Sequence, residues 1–419
     1  MSDIKDKTKT IIRNILQKIE KYTKTDITYI ITGGSWLVIG QGTIAILSFF
    51  LSVAFANLIS QETLGTYRFV LSVLGILSIP TLGGINTALT RAVANHKDGT
   101  FFPSLKTKIY WGTLGGIGSG ILSLYYFVNE NTDLSLAFLI ASVFLPFMDS
   151  FILYDSVLQG KKDFKTSTVY FIFSHIIAFC TIMSVLYLTP SLPILILAYF
   201  ISWTGARGLF LFLTAKKYTP KGDLDHSAIP YGKHLSAMGI IGTIANSLDR
   251  LLVFHFLGAA ELAIYSIIIG PPEQIKGLLK HIYTLSLPKF ASSDKSLIKK
   301  TIWSKTIKFT FIISGIVIVY IICAPYFFEV FFPKYKEFVN YSILYSLSLI
   351  PLALLLPYSF LESSGSTKEL YQYNIWSSGV EIALVVLLIP YGGLLGIIYA
   401  RILSRAFNFV LTNMMTKKI

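Results

Sequence analysis

The sequence predicts an all-α polytopic membrane protein, with twelve transmembrane helices in two parallel-repeat six-helix lobes around a central cavity. Three observations carry this expectation. First, 53% of the 419 residues are hydrophobic and only 14% are charged, with mean hydropathy +0.63. Soluble domains carry roughly 25% charge. Second, apolar runs recur from Trp36 to the C-terminus, each near the ~20 residues that cross a bilayer. They are continuous, whereas a transmembrane β-barrel would alternate in segments of about 10 residues. Third, the two halves share one layout.

A basic tail, residues 1–32, opens the chain. In IKDKTKTIIRNILQKIEKY, Ile4, Ile11, Ile12, Ile15, Leu16 and Ile19 fall at helical spacing among Lys and Arg. That pattern suits an amphipathic helix on an anionic leaflet; a solvated tail that only enforces topology fits equally well. The tail lacks an apolar h-region, so no cleavable signal peptide is expected. Spans 1 to 6 follow near 37–58, 64–90, 109–128, 135–158, 168–188 and 192–214, and form an N-lobe over residues 33–214. A polar linker, residues 215–234, contains KKYTPKGDLDHSAIPYGKH. Spans 7 to 12, near 236–257, 262–286, 307–325, 338–361, 371–390 and 393–415, form a C-lobe over residues 235–419.

Lys and Arg set the orientation. They crowd the loops after even-numbered spans. The loops after odd-numbered spans hold two, Lys334 and Lys336, while the tail holds seven. The even loops and both termini are therefore expected in the cytoplasm. This also absorbs the net charge of +14, which in a soluble chain would suggest nucleic acid; no nucleic-acid partner is expected. Cys180 and Cys323 lie in separate apolar runs, which implies neither a disulfide framework nor a metal cluster.

The repeat rests on matches in phase. Gly42-Thr43-Ile44-Ala45 recurs as Gly242-Thr243-Ile244-Ala245 at the same depth of spans 1 and 7. After a two-residue gap, Leu64-Gly65-Thr66-Tyr67 matches Leu262-Ala263-Ile264-Tyr265 at offset 198, and Leu89-Thr90-Arg91 matches Leu287-Pro288-Lys289. Six is even, so both halves insert the same way up. Such repeats relate by an axis along the membrane normal and work by rocking, opening the cavity to alternate faces.

Motifs for chemistry are missing. There is no G-x-x-x-x-G-K-[ST], H-E-x-x-H or G-x-S-x-G, so neither P-loop ATP binding nor zincin or hydrolase chemistry is expected. Asp223-Leu224-Asp225 matches a glycosyltransferase D-x-D, but it stands in a short linker with no domain around it and reads as a solvated turn. The outward loops are short, which argues against an enzyme acting on glycans.

Ionisable groups at mid-span are costly and face a cavity or a partner. The cations are Arg68, Arg207, Arg250, Lys276, Lys280, Arg401 and Arg405; the anions are Asp149, Asp155, Asp249, Glu273, Glu362 and Glu381. Asp155 and Glu362 lie near cytoplasmic ends, and Arg68 is placed to snorkel outward. In span 8, Pro271-Pro272 should break or kink the helix; Glu273, Lys276 and Lys280 follow on one face, with Glu273 and Lys276 spaced to pair. Arg401 and Arg405 share a face at i, i+4 and call for an anion beside them. Asp249 and Arg250 cannot face each other, so each needs another partner. Several cations around one cavity suit a phosphate-bearing headgroup, because guanidinium forks grip phosphate oxygens bidentately. The opposing reading is that they mainly neutralise the carboxylates.

The chain resembles the Wzx-type flippases of the multidrug/oligosaccharidyl-lipid/polysaccharide (MOP) superfamily. LGTYRFVLSVLGILSIPTLGGINTALTRAVA (64–94), LQGKKDF (158–164), NSLDRLLVFHFLGAAELAIYSI (246–267) and LPKFA (287–291) carry the resemblance, which extends over about 35–415. It implies movement of an oligosaccharide on undecaprenyl pyrophosphate from the inner to the outer leaflet of a bacterial or archaeal cytoplasmic membrane. It implies no cofactor beyond a coupling ion, H+ or Na+, with Asp149, Asp249, Glu273 and Glu381 as candidate coupling carboxylates. The partners it implies are the lipid-linked oligosaccharide, membrane lipids and other polysaccharide-assembly proteins. Lipid II flippases of the superfamily carry a cation in span 1, whereas this span 1 has no charge. A multidrug/cation antiporter of the same fold is the runner-up, and a membrane-embedded glycan polymerase or ligase the alternative outside transport.

Overall fold

The computed structural model describes residues 27–218, 221–291, 295–363 and 367–418, all helical or in short connections. The basic tail lies outside the described residues as far as Asp26. Eight segments are long and apolar enough to cross a membrane, and a bent pair makes a ninth. One of the eight, Lys368–Lys417, turns back at Gly393 and so supplies two spans. The remaining two are Phe101–Val128 and Ala259–Ala291. Their hydropathy is diluted, in one by a Gly/Ser stripe and in the other by Glu273, Lys276 and Lys280. The described residues thus make twelve spans.

Span 1 is Ile27–Leu58. Span 2 is broken: Gln61–Leu77 and Gly84–Ala94 flank a 3₁₀ turn at Ile79–Thr81 and meet at 44°. Pro80 cannot donate to the helix ladder, and Leu82 takes a left-handed φ of 57°. Span 3 is Phe101–Val128. Span 4 runs as Thr132–Met148 and Leu153–Gly160, and spans 5 and 6 are Phe164–Leu188 and Leu192–Tyr218. Spans 7, 8 and 9 are Ala228–Leu257, Ala259–Ala291 and Lys295–Phe331. Span 10 is Val339–Ser346, the 3₁₀ stretch Leu347–Leu354 and Leu355–Ser363. Spans 11 and 12 share Thr367–Lys418 on either side of Gly393, whose φ of 53° and ψ of −132° reverse the chain. A Cβ on Gly396 would sit 2.0 Å from the Leu388 carbonyl oxygen, so this hairpin closes only on glycine.

Small residues let helices approach where lipid supplies no hydrophobic drive. On span 3, Gly112 and Gly116 press on span 4, and Gly115 lies against the Leu77 carbonyl of span 2. Ser119 and Ser123 donate to the carbonyls of Phe138 and Ser135 at 2.7 and 2.8 Å. Corresponding helices pack in both lobes: 1 with 5, 2 with 4, 3 with 4 and 4 with 6, answered by 7 with the hairpin of 11 and 12, 8 with 10, 9 with 10, and 10 with the same hairpin.

The lobes meet at both faces. On the face opposite the basic loops, the largest apolar core joins Phe55, Tyr67 and Val70 to Tyr265, Ile268, Phe328 and Tyr335. There Gly65 lies against the Ala259 backbone. The Asn57 amide donates to the Phe331 carbonyl at 2.9 Å, and Lys334 Nζ donates to the Asn57 carbonyl at 2.7 Å, capping span 1. On the basic face the second half of span 2 packs along span 7: the Gly84 N–H donates to Ser236 Oγ at 2.9 Å, and Arg91 stacks on Tyr231. Span 1 has only slight contact with span 8, so the two lobes are joined along one side far more than along the other.

Asp223-Leu224-Asp225 belongs to the connection between the lobes. Asp225 Oδ1 accepts the N–H and Oγ–H of Ser227, its own N–H donates to Thr100 Oγ1 at 2.8 Å, and Lys97 lies 3.7 Å away. The Ser227 bonds hold this carboxyl below the usual range, with Lys97 adding to them. Asp225 here caps a turn and ties the linker to the loop after span 2.

Candidate functional site

Span 8 continues unbroken through Pro271-Pro272, contrary to the expected break. Pro272 has no N–H to offer the Ile268 carbonyl one turn earlier. Ser342 Oγ of span 10 donates to that carbonyl instead and is itself bonded to the Tyr320 hydroxyl. A neighbouring helix thus satisfies the freed oxygen, and Glu273 is delivered into the interior half a turn further on.

Six predicted site residues form a charged network of two neighbouring groups in the C-lobe, one around Arg401 and one around Glu273. Arg401 bridges Asp249, at 2.7 Å, and Glu381. Arg405 pairs with Glu273, which also holds Lys276 Nζ at 2.7 Å and the Tyr345 hydroxyl at 2.6 Å. The Tyr265 hydroxyl donates to Asp249 at 2.9 Å, and Arg405 donates to Ser348. Three carboxylates meet three cations, so the group balances. The like-charged Arg401 and Arg405 each have their anion, and Asp249 finds Arg401 rather than its neighbour Arg250. In the N-lobe, Arg207 binds Asp149 at 3.1 Å and the Met148 carbonyl at 2.9 Å, and its guanidinium lies 4.9 Å from the Trp203 ring. Asp155 accepts from Gln159 and Ser167, and Glu362 accepts from Tyr283.

Arg68 and Arg250 stand apart. Among the described residues neither makes an ion pair, and both line a central cavity of about 400 Å³ between the lobes. Ligand sites run to about 300–1,000 Å³. Arg68 does not snorkel outward: its guanidinium lies over Phe55, 5.9 Å from the ring, and its Nε is buried without a hydrogen-bond partner. Ser266 Oγ is likewise buried, unpartnered and on the cavity wall. At offset 198 Ser266 is the counterpart of Arg68, so the two halves present equivalent positions to one cavity. Glu273 reaches the cavity as well; Asp149, Asp249 and Glu381 do not line it. Lys280 is exposed and outside it.

Sequence reasoning passed over His175, Tyr199 and Trp203, which form the cavity wall on spans 5 and 6. A histidine in the middle of an apolar run was the available signal. It also assigned Lys108 to a loop. Span 3 begins at Phe101, and Lys108 is only 1% exposed, with its ammonium 2.7 Å from Asn86 Oδ1. Lys108 and Asp149 border a second polar cavity of about 360 Å³ at the break in span 2.

A third cavity, about 450 Å³ and largely apolar, runs between spans 1, 8 and 9 past Phe49, Ile275, Ala324 and Phe327. It shares Ser48, Ser52, Gly270 and Gln274 with the central cavity. The central space therefore opens sideways where the lobes are least joined.

The fold has solved counterparts. An inward-facing multidrug resistance MATE family transporter of the MOP superfamily aligns at TM-score 0.64 and 12% identity, over 90% of this chain and 94% of its own. The lipid II flippase MurJ, in an inward closed conformation, aligns at 0.61 and 15%, over 91% and 87%. A MOP superfamily transporter from Pyrococcus furiosus, described by a reversed polarity of its binding pocket that suggests a different function, aligns at 0.59 and 11%, over 93% and 95%. No curated protein sequence matches the chain. The model of a family of polysaccharide biosynthesis proteins matches residues 30–294, more than half the chain. This multi-span chain belongs to the polysaccharide biosynthesis protein family.

Proposed function

We propose that the protein is a flippase that carries an oligosaccharide on undecaprenyl pyrophosphate from the cytoplasmic to the outer leaflet. The observation that carries this reading is the pair of unpaired arginines, Arg68 and Arg250, in a central cavity continuous with an apolar side groove. A pyrophosphate diester matches two guanidinium groups in charge and geometry. The groove lets a polyprenyl chain stay among lipid tails while the headgroup crosses. In the related transporter from Pyrococcus furiosus, pocket polarity is likewise what its description ties to function. The basic face is then cytoplasmic by the positive-inside rule, and the packed far face is the outer gate.

The cycle is alternating access driven by H+ or Na+. Glu273 is the coupling carboxylate favoured here, because of the four candidates it alone touches both the cavity and the charged network. An ion on Glu273 would loosen Arg405 and Lys276, and substrate phosphate would compete for the same cations. Oligosaccharide moves; no bond is made or broken.

The test is leaflet movement in liposomes. Purified protein is reconstituted with a labelled polyprenyl-pyrophosphate oligosaccharide, with and without a proton or sodium gradient, and sugar exposure is read with an external lectin. Protein-dependent crossing that fails in Arg68→Ala plus Arg250→Ala supports the flippase. Absence of crossing under every gradient, with gradient-driven efflux of a cationic dye from the same vesicles, replaces it with the multidrug antiporter.

A further inference from the structure

The two walls of the central cavity differ in chemistry. Spans 2 and 7 present Arg68 and Arg250. Spans 5 and 6 present His175, Tyr199 and Trp203. The aromatic wall has open polar edges. His175 Nδ1 lies 2.9 Å from the Phe171 carbonyl, so this nitrogen carries the proton and Nε2 is left as an acceptor. Among the described residues the Trp203 indole N–H and the Tyr199 hydroxyl have no hydrogen-bond partner.

Trp203 is held rigidly. The His175 ring stands at 88° to it, 4.8 Å away, and Arg207 packs at 4.9 Å while pinned by Asp149 and the Met148 carbonyl. Arg207 does not line the cavity. Its part is to steady the indole rather than to grip an anion.

Position along the membrane normal separates the two chemistries. Arg68 and Arg250 each lie seven residues inside the helix ends at Gln61 and Leu257. Trp203 lies eleven inside Leu192, and His175 thirteen inside Leu188. At 1.5 Å per residue Trp203 and His175 are about 6–9 Å nearer the basic face, while Tyr199, seven residues inside Leu192, is level with the arginines. Around the cavity, span 1 packs on 5, 5 on 6, 6 on 2, and 2 on both 7 and 8. The side groove opens between spans 8 and 1, where contact is slight.

We infer that His175, Tyr199 and Trp203 form a sugar subsite, with Trp203 as the stacking platform for the pyrophosphate-proximal sugar. This rests on the phosphate reading of Arg68 and Arg250. Sugar recognition needs a flat apolar face for the ring's C–H groups and mixed donors and acceptors for its hydroxyls, and this wall supplies both. The groove, the arginines and the aromatic wall then follow the substrate's own order of tail, pyrophosphate and sugar.

Binding of two probes to the detergent-purified protein tests the subsite: farnesyl pyrophosphate, and farnesyl pyrophosphate bearing one N-acetylglucosamine. The wild type should bind the glycosylated probe about tenfold more tightly, the usual worth of one stacking platform. Trp203→Ala should erase that gain and leave farnesyl pyrophosphate binding unchanged, which also certifies the fold. Trp203→Phe should keep most of it. The subsite is overturned if the sugar adds nothing in the wild type, or if Trp203→Ala weakens both probes alike. Failure of the wild type to bind even farnesyl pyrophosphate would remove the phosphate reading, and the sugar subsite with it.

Discussion

Gly65→Ala adds one methyl group where the lobes close. A Cβ at Gly65 would lie 1.7 Å from the Ala259 carbonyl oxygen and 2.5 Å from its carbon. Both are backbone atoms at the start of span 8, so no side chain can turn aside. Normal contact requires spans 2 and 8 to separate by more than about 1 Å, and overpacking of this kind costs about 1–3 kcal/mol. The penalty falls only on the conformer in which the far face is shut. It should therefore shift the equilibrium toward the open-outward form by about 5- to 150-fold. The assay is labelling of Ser266→Cys, on the cavity wall, by a membrane-impermeant maleimide added outside. Cys180 and Cys323 are exposed and must first be replaced. Labelling should accelerate in Gly65→Ala and transport should slow. Unchanged labelling with intact transport would refute the reasoning, because the contact would then relax locally without opening the gate.

Other outcomes follow from the same geometry. Arg401→Leu strands Asp249 and Glu381, and should destabilise the protein by about 3–5 kcal/mol, the cost of breaking a buried ion pair; a thermal unfolding scan in detergent reads this, and partial recovery of the midpoint in Asp249→Leu plus Arg401→Leu, which leaves only Glu381 unpaired, identifies pairing as the cause. Ser342→Ala should cost about 1 kcal/mol in the wild type and less in a Pro272→Leu background, where the restored N–H satisfies Ile268; an unaltered cost in that cycle contradicts the assigned role. At the entrance to span 5, Asp163 caps the helix. Burial alone would raise its carboxyl, but hydrogen bonds from Lys217, Tyr218 and Thr166 outweigh it and hold the group at about 2. Asp163→Asn keeps the N-cap and removes the charge that holds Lys217, so it should cost about 0.2–1 kcal/mol, the worth of an exposed ion pair. Because the folded value is depressed, this contribution is complete above the ordinary Asp range near ~4 and fades as pH falls toward 2. A difference between variant and parent that persists unchanged at low pH excludes the ionic part.

The spans were legible because lipid imposes length and composition on each helix. The turn at Gly392-Gly393 falls where the spans expected at 371–390 and 393–415 meet, whereas the break at Pro80 lies inside the single span expected at 64–90. The effect of Pro271-Pro272 was not legible, because it depended on a serine some seventy residues away. The charged residues were legible as a set but not as pairs. Spacing along span 12 told that Arg401 and Arg405 want anions, but only packing tells that Asp249, Glu381 and Glu273 supply them. The same packing leaves Arg68 and Arg250 over. The aromatic wall was hidden for another reason: Trp and Tyr also line membrane interfaces, so their presence in spans 5 and 6 said little until His175 and Trp203 were found side by side.

The two leftover arginines also bear on how membrane voltage acts. Guanidinium groups stay protonated, so on the flippase reading the empty cavity carries two arginine charges with no ion-pair partner among the described residues, whereas the charged network beside it sums to zero. A pyrophosphate diester would bring the loaded cavity close to zero. Voltage then acts little on the outward step and strongly on the return. With the cell interior negative, each charge moved across the full field is worth about 2.3 kcal/mol per 100 mV. The resting potential would draw the emptied carrier back to its cytoplasm-facing state, and turnover would speed up with polarisation even where the coupled ion is at equilibrium.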